Sequence, residues 1–397
     1  MAVVNPFITQ GYLSPRYFCD RVEETKYLTD LVINGNNVAL ISPRRLGKTG
    51  LICHCFEQQR IKDNYHTFIV DIYATKNLQE LVFYLGKSIL GTLKPQGRKV
   101  WERFVNALSS LRSSISFDIN GMPEWGLSVG DVKVPQTTLE EIFMYLEQAD
   151  KPCIVAIDEF QVIADYPEKN TEAILRTHIQ RCKNTRFIYA GSQRHMMAEM
   201  FVSPSRPFYQ STSMMSLAPI NIDHYIEFAQ GLFREYGKDI EQETIREVYQ
   251  RYEGVTWYVQ TILNTLFAIT EPGGKCLTEL IEAAIQQVIT QQSFTYSALL
   301  YQLPSKQKEV LIAICKEGKA ANITARPFLQ RYHLTASTVQ GAVKGLLEKD
   351  FITQDLGTYS VYDKFFAMWL MQLIPVSTMK SHGDFHISKD SDYWASR

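Results

Sequence analysis

The feature that most constrains this chain is a short loop that contains Gly, Lys and Thr and lies between two apolar stretches. Residues 42–49 have the sequence Ser-Pro-Arg-Arg-Leu-Gly-Lys-Thr, and they separate the apolar run 38–41 from the mainly apolar segment 51–56. A strand, a tight loop and a helix in this order are typical of a phosphate-binding loop. The segment therefore predicts that the chain binds a nucleoside triphosphate.

Each residue type in this loop has a physical role in holding phosphate. Backbone N–H groups of the loop and the positive end of the following helix surround an anion. The ammonium of Lys48 reaches the β- and γ-phosphates, and the hydroxyl of Thr49 is a ligand for Mg²⁺. Gly47 permits backbone dihedrals that a side chain would resist. We therefore expect ATP with Mg²⁺ to contact Ser42, Pro43, Arg44, Arg45, Leu46, Gly47, Lys48, Thr49 and Gly50.

The loop departs from the usual pattern Gly-x-x-x-x-Gly-Lys-[Ser/Thr] at its first position, where this sequence has Ser42. Taken alone, it is also compatible with an ordinary turn that carries an exposed lysine. A second motif favours the nucleotide site, because residues 153–159 form an apolar run that ends in Asp158 and Glu159. A continuous run of this kind predicts a strand that is buried on both faces of a parallel sheet.

The two acids after that run suit the chemistry of phosphoryl transfer. A carboxylate at the end of a central strand can hold Mg²⁺ through water, which is the role expected of Asp158. The next acid, Glu159, can orient and activate the attacking water. A surface acid pair at the start of a loop is the alternative. Its position after a phosphate-binding loop favours a nucleoside triphosphatase.

A third apolar run, over residues 186–191, is followed by Ser192 and Gln193. In ATPases of this layout such a strand lies between the other two and offers a polar side chain to the γ-phosphate. Ser192 is the first candidate for this contact, and Gln193 is the second. The alternative is that Ser192 caps the helix predicted to start near His195.

The composition restricts the class of protein. Apolar residues make up 45% of the chain, and the formal net charge of −1 gives no global attraction to nucleic acid or to an anionic membrane. No apolar segment approaches the roughly 20 residues needed to span a bilayer. The N-terminus has no basic start or long apolar stretch, so we expect a cytoplasmic protein with reduced thiols.

The pattern along the chain predicts an α/β protein with a parallel-sheet core, a helical lid and a C-terminal winged helix. Within the core, residues 113–135 alternate polar and apolar types around Asn120-Gly121, which predicts an inserted β-hairpin. The predicted domains are the core at 1–218, the lid at 219–298, the winged helix at 299–375 and a polar tail at 376–397.

Three helices predicted over 304–314, 324–332 and 336–349, followed by two short strands, form the pattern of a winged helix-turn-helix. The span 303–375 carries nine Lys and Arg residues against six Asp and Glu, so it is weakly basic. Duplex DNA and a protein partner are both open as its ligand. The recognition helix would present Thr335, Ser337, Gln340 and Lys344 on its outer face.

Together these motifs resemble a known family, the prokaryotic ATPases related to the signal-transduction (STAND) class and first grouped as archaeal-type ATPases. They are also similar to the origin-recognition ATPases. The resemblance implies an ASCE or AAA-like core, and its Arg-x-x-Glu box implies that Arg21 lies by the adenine pocket. The residues that carry it are 21–24, 42–49, Asp158-Glu159-Phe160-Gln161, Gly191-Ser192 and Asp363 to Leu370.

The sequence departs from that family at two places. Ser211 stands where members often have an Arg. Arg206 or Arg194 is the candidate to replace that Arg near the γ-phosphate, and the alternative for either is an ordinary surface arginine. In the lid, Thr256 stands where members often have a Pro that approaches the nucleotide. Both changes lie where the γ-phosphate would be sensed, so they favour nucleotide binding with slow hydrolysis.

The sequence therefore predicts a Mg²⁺-dependent, slowly hydrolysing ATPase that acts as a regulatory switch, coupling nucleotide state to the positions of the lid and the winged helix. Catalysis would depend on Glu159, Lys48, Ser192 and Arg206. Two alternatives stay open: an ATPase in which ATP controls DNA binding or loading, and a partner-docking protein whose nucleotide is structural. An arginine supplied in trans would require an oligomer.

Overall fold

The computed structural model describes residues 5–93, 128–355 and 357–374, together with the backbone of 115–117 and 123–125. Its contacts divide the chain into two compact units, Met1–Thr278 and Glu279–Arg397. None of the described helices is both long and apolar enough to cross a membrane.

The first unit contains the predicted α/β core and most of the predicted lid. Its strands are β1 (Val38–Ile41), β2 (His66–Asp71), β3 (Ile115–Phe117), β4 (Pro123–Trp125), β5 (Cys153–Asp158), β6 (Thr185–Gly191), β7 (Ser213–Ser216), β8 (Asp239–Ile240) and β9 (Lys275–Cys276). Its described helices are α1 (Val22–Ile33), α2 (Lys48–Phe56), α3 (Gln59–Lys62), α4 (Leu78–Thr92), α5 (Pro135–Glu147), α6 (Thr171–Arg181), α7 (Arg194–Val202), α8 (Ile222–Glu235), α9 (Gln242–Arg251) and α10 (Thr256–Ile269).

The core is a five-stranded parallel sheet in the order β2-β5-β6-β1-β7. Every residue of β5 is buried. Val155 and Ile157 belong to the hydrophobic cluster on one face of the sheet, and Ile154 and Ala156 belong to the cluster on the other. This alternation is what the continuous apolar run predicts. As predicted, β6 lies between β5 and β1, so the carboxyl ends of these three strands are neighbours.

Strands β3 and β4 form an antiparallel pair in which Ile115 lies opposite Trp125. The turn predicted at 120–121 lies outside the described residues. The second strand of the predicted hairpin does not continue to Val129, because Val129–Asp131 forms a 3₁₀ turn. The Asp131 carboxylate accepts hydrogen bonds from the Ser128 N–H and hydroxyl, at 2.7 and 2.8 Å, and so closes this turn.

The lid consists of α8, α9 and α10 with the short parallel pair β8 and β9. Residues near the N-terminus are part of its core. Phe7 is fully buried, with its ring centroid 5.5 to 6.4 Å from those of Phe228, Phe233 and Phe267. The Asn264 amide donates to the Phe7 carbonyl at 2.7 Å and so fixes the backbone there. The start of the chain therefore packs against helices that follow it by more than 200 residues.

The second unit has the described order α11 (Leu280–Tyr301), α12 (Ser305–Glu317), β10 (Ala320–Ala321), α13 (Arg326–Arg331), α14 (Ala336–Glu348), β11 (Ile352–Asp355), β12 (Thr358–Val361) and α15 (Lys364–Gln372). The predicted wing is the antiparallel pair of β11 and β12, and the short strand β10, which the sequence did not indicate, adds to it.

The helix predicted over 279–293 as the last lid helix continues to Tyr301, and its contacts fall in the second unit. The physical reason is aromatic packing, since Tyr296 lies 5.3 Å from Phe366 and 5.8 Å from Trp369 between ring centroids. The domain boundaries proposed from the sequence stay predictions.

Replacing Phe7 with alanine removes a fully buried aromatic side chain from the lid. We expect the free energy of unfolding of the first unit to fall by about 3–5 kcal/mol, because the change combines lost burial with a cavity. Urea unfolding of the full chain, followed by far-UV circular dichroism, measures this loss.

Leu13→Ala is the matched control, because Leu13 lies in the same segment with 54% of its surface exposed. We expect that change to cost less than about 1 kcal/mol. Equal losses in the two variants would contradict the assignment of Phe7 to the lid core.

Candidate nucleotide-binding and catalytic site

The loop after β1 is fixed at its start to the neighbouring strand. The Ser42 N–H donates to the Gly191 carbonyl at 3.2 Å, so the loop begins where β6 ends. Arg45 and Gly47 have φ angles of 70° and 92°, in the left-handed region. Glycine adopts that region at no steric cost, which explains why Gly47 precedes the first turn of α2.

Lys48 holds a buried positive charge at the centre of this loop, with 6% of its surface exposed. Its ammonium donates to the carbonyl oxygens of Ser42 and Pro43, at 3.0 and 3.3 Å. Burial lowers the pKa of Lys48, and the nearby carboxylates of Glu159 and Asp158 oppose that shift. Helix α2 begins at this point without a side-chain cap. A buried ammonium beside an uncapped helix start is a suitable environment for phosphate.

Thr49, the residue after Lys48, links the loop to the end of β5 through a hydrogen bond. The Thr49 hydroxyl donates to a carboxylate oxygen of Asp158 at 2.5 Å, and Asp158 is 8% exposed. Burial raises the pKa of the Asp158 carboxyl, and the hydrogen bond from Thr49 acts in the opposite direction. Mg²⁺ takes few ligands from a protein and completes its shell with phosphate oxygens and water. A hydroxyl and a carboxylate in contact beside a phosphate-binding loop fit that requirement.

Glu159 lies at the start of a hydrogen-bonded chain that leads back to the loop. Its backbone is left-handed, with φ of 55°. The Ser192 hydroxyl donates to Oε2 of Glu159 at 2.7 Å, and Nε of Arg44 lies 3.2 Å from the same hydroxyl oxygen. Ser192 therefore contacts side chains of the site, whereas Gln193 is exposed at the start of α7 and makes no side-chain cap there.

The loop also touches the lid. The Arg45 guanidinium lies over the rings of Trp257 and Tyr258, 4.2 and 4.9 Å from their centroids, and donates to the Tyr258 hydroxyl. The Arg45 carbonyl accepts from the Trp257 N–H at 3.0 Å. The Leu46 carbonyl accepts from Arg21 at 3.3 Å and from the Thr256 hydroxyl at 3.5 Å. The structure thus brings both of these predicted cofactor contacts to one loop carbonyl.

The two arginines suggested for the γ-phosphate have different surroundings. Arg206 pairs with Glu172 on α6 at 3.3 Å and with Glu199 on α7 at 3.5 Å. Arg194 is exposed in the first turn of α7. The ion pairs of Arg206 are thus formed with acids of α6 and α7. A role for either arginine in catalysis stays a prediction.

Three residues join the site without having been assigned to it from the sequence. Trp257 and Tyr258 approach Arg45 because the lid packs on the loop, and no local sequence pattern predicts such a contact. Gln161 was noted only as part of the family resemblance. It lies in the 3₁₀ helix Phe160–Asp165, and its amide donates to Glu159 and lies 3.4 Å from the Ser192 hydroxyl.

Solved structures share this fold at low sequence identity. A Walker-type ATPase of Pyrococcus abyssi is 17% identical, with a TM-score of 0.61, and the match covers 92% of this chain and 99% of that one. The ORC1 protein of Aeropyrum pernix in complex with DNA is 13% identical, with a TM-score of 0.55 and coverage of 93% and 96%. The ORC2 protein of the same organism, in ADPNP and ADP complexes, is 14% identical, with a TM-score of 0.55 and coverage of 95% and 98%.

Two family models match the chain, and no curated protein does. The model of a probable winged helix domain matches residues 294–372. The model of an ATPase domain predominantly from Archaea matches residues 18–262, which is more than half of the chain. The matched range contains the phosphate-binding loop, the five-stranded parallel sheet and the start of the lid. The chain therefore belongs to this family of archaeal-type ATPase domains.

Proposed function

We propose that this protein binds ATP with Mg²⁺, hydrolyses it slowly and uses the bound nucleotide to set the position of its lid. The observation that carries the proposal is the double contact of the phosphate-binding loop. One side of the loop adjoins Lys48, Asp158 and Glu159, and the other side, through Arg45 and Leu46, contacts the lid. In this proposal, a change in the phosphate bound by the loop alters the contacts between the loop and the lid.

In this proposal the buried ammonium of Lys48 and the amides of the loop, up to Gly50, bind the phosphates. Thr49 and Asp158 would hold Mg²⁺, and the bound ion would supply positive charge to neutralise that on the phosphoryl oxygens. Glu159 directs the attacking water, and Ser192 contacts the γ-phosphate. Positioning and charge stabilisation of this kind supply most of the catalysis in phosphoryl transfer.

Slow hydrolysis is supported by the partners of the catalytic groups. Oε2 of Glu159 already accepts hydrogen bonds from Ser192 and Gln161. Arg206, the arginine suggested for the γ-phosphate, is paired with Glu172 and Glu199. Both groups must exchange these partners before they act on nucleotide or water, and each exchange adds to the barrier.

The switch itself is a shift between two lid positions. A ligand shifts such an equilibrium by its difference in affinity for the two states. In the lid position of this structure, Arg45 is stacked on Trp257 and Tyr258. The γ-phosphate provides the required difference in affinity if the loop binds ATP better than ADP in this lid position. We further propose a regulatory role of the STAND type, in which the winged helix is the responding module.

Replacing Lys48 with alanine tests nucleotide binding. We expect the Kd for ATP with Mg²⁺ to rise about 10- to 100-fold, because a hydrogen bond to a charged group contributes about 1.5–3 kcal/mol. Isothermal titration calorimetry on the full chain measures the change.

Lys62→Ala is the control, because that lysine is exposed and pairs with Glu57 at the far end of α2. Its Kd should match that of the unmodified protein. A Lys48→Ala protein that binds ATP as tightly as the control would refute the assigned site.

A second candidate function is ATP-controlled binding of duplex DNA. It is favoured by the winged helix, since Thr335, Ser337, Gln340 and Lys344 are exposed at the start and on one face of α14. Lys344 lies 4.0 Å from Glu348, which weakens the local positive charge. The ORC1 protein, which has the same fold, has been solved in complex with DNA.

DNA binding has a distinct signature in its salt dependence. If this candidate is right, the logarithm of the affinity falls linearly with the logarithm of salt concentration, and Lys344→Ala reduces the slope by about one. Fluorescence anisotropy with a labelled duplex measures both. Lys306→Ala, on α12, serves as the control. Absence of binding at about 50 mM salt would eliminate this candidate.

A further inference from the structure

Gln161 is a buried polar residue that donates to Glu159 but has no chemical role of its own in the proposed reaction. It lies two positions after Glu159, in the 3₁₀ helix that follows β5, and only 1% of its surface is exposed. The ring of Phe160 anchors this turn, with centroids 4.6 Å from Tyr189 and 5.4 Å from Phe208. The backbone beside Gln161 is therefore held by close aromatic packing.

The amide nitrogen of Gln161 points at the catalytic carboxylate. It donates to Oε2 of Glu159, the same oxygen that accepts from the Ser192 hydroxyl at 2.7 Å. The Gln161 nitrogen and the Ser192 oxygen are 3.4 Å apart. Two donors from two different elements thus converge on one carboxylate oxygen and restrain its position.

The carbonyl oxygen of the Gln161 amide is not satisfied by hydrogen bonding within the part of the chain that the structure describes. Oε1 of Gln161 is buried without a hydrogen-bond partner among the described residues. It faces Gly191, where a Cβ atom would lie 2.7 Å from it. A buried unsatisfied polar atom costs about 1–3 kcal/mol. An apolar side chain of the same length would avoid this cost, so packing alone does not account for an amide at this position.

We infer that Gln161 is a positioning residue that, together with Ser192, restrains Glu159 and slows hydrolysis. This inference rests on the proposed ATPase function. A general base needs a free lone pair directed at the water it activates. While Oε2 accepts from both donors, that oxygen is not available for the proton, and the same two hydrogen bonds hold the second oxygen, Oε1, in one orientation. When the Gln161 amide is removed, Ser192 is the one of these two donors that still contacts Oε2. The Glu159 carboxylate can then turn toward water.

The test is Gln161→Met, which keeps the length of the side chain, removes the amide and leaves the Ser192 hydroxyl in place. We expect kcat for ATP hydrolysis to rise about 3- to 10-fold, with KM for ATP changed less than twofold, because a charge-assisted hydrogen bond to the base is lost while the phosphate contacts are intact. Steady-state turnover of the full chain with ATP and Mg²⁺ measures both constants.

A merely structural role predicts a different result. Combining Gln161→Met with Glu159→Gln must abolish the gain, because the amide acts through the carboxylate. Gln59→Met, on the exposed surface of α3, should leave kcat and KM unchanged. If the Met variant does not fold, Gln161→Asn, which shortens the side chain by one methylene, should give the same increase.

The outcomes separate this inference from the function on which it rests. A fall or no change in kcat of folded Gln161→Met overturns the inference, and so does a gain that persists without the Glu159 carboxylate. If the inference is overturned but the unmodified protein hydrolyses ATP faster than Lys48→Ala does, the proposed ATPase function still stands. If neither the unmodified protein nor Gln161→Met exceeds the Lys48→Ala rate, the ATPase function is overturned together with the inference.

Discussion

The arrangement of the site depends on one buried positive charge. The Lys48 ammonium is enclosed by the loop, with carbonyl oxygens as its close partners and the carboxylates of Asp158 and Glu159 nearby. A charge removed from water is unfavourable unless it is paired and hydrogen-bonded. Parallel strands bring their carboxyl ends to one edge of the sheet, which is why residues more than 100 positions apart meet around this lysine. Phosphate is the anion that this enclosure fits.

The same loop has a second surface, which contacts the lid. Arg45 and Leu46 direct their carbonyl groups to the first turn of α10, and the Arg45 side chain stacks on two aromatic rings of that helix. The lid is further joined to the start of the chain through Phe7. The loop therefore has the buried Lys48 ammonium on one side and the lid on the other. The proposed coupling of nucleotide state to the lid depends on this position of the loop.

The sequence predicted the elements whose cause is local. The loop at 42–49, the apolar run of β5 and the polar residues after β6 follow from patterns a few residues long, and the structure brings Lys48, Thr49, Asp158, Glu159 and Ser192 together. The stacking of Arg45 on Trp257, the insertion of Phe7 into the lid and the pairing of Arg206 with Glu172 and Glu199 join distant segments, and no spacing in the sequence encodes them. The extension of α11 to Tyr301 was missed for the same reason, because its aromatic partners lie on α15.

The most direct test of the central claim is amide hydrogen exchange at the start of α10, where the Trp257 N–H donates to the Arg45 carbonyl. Exchange would be followed by mass spectrometry in the full chain with Mg²⁺, saturated with a non-hydrolysable ATP analogue or with ADP. A lid that responds to the γ-phosphate predicts slower exchange at Trp257 and Tyr258 with the ATP analogue than with ADP. Equal exchange in the two nucleotides, with both shown to be bound, would contradict the coupling of nucleotide state to the lid.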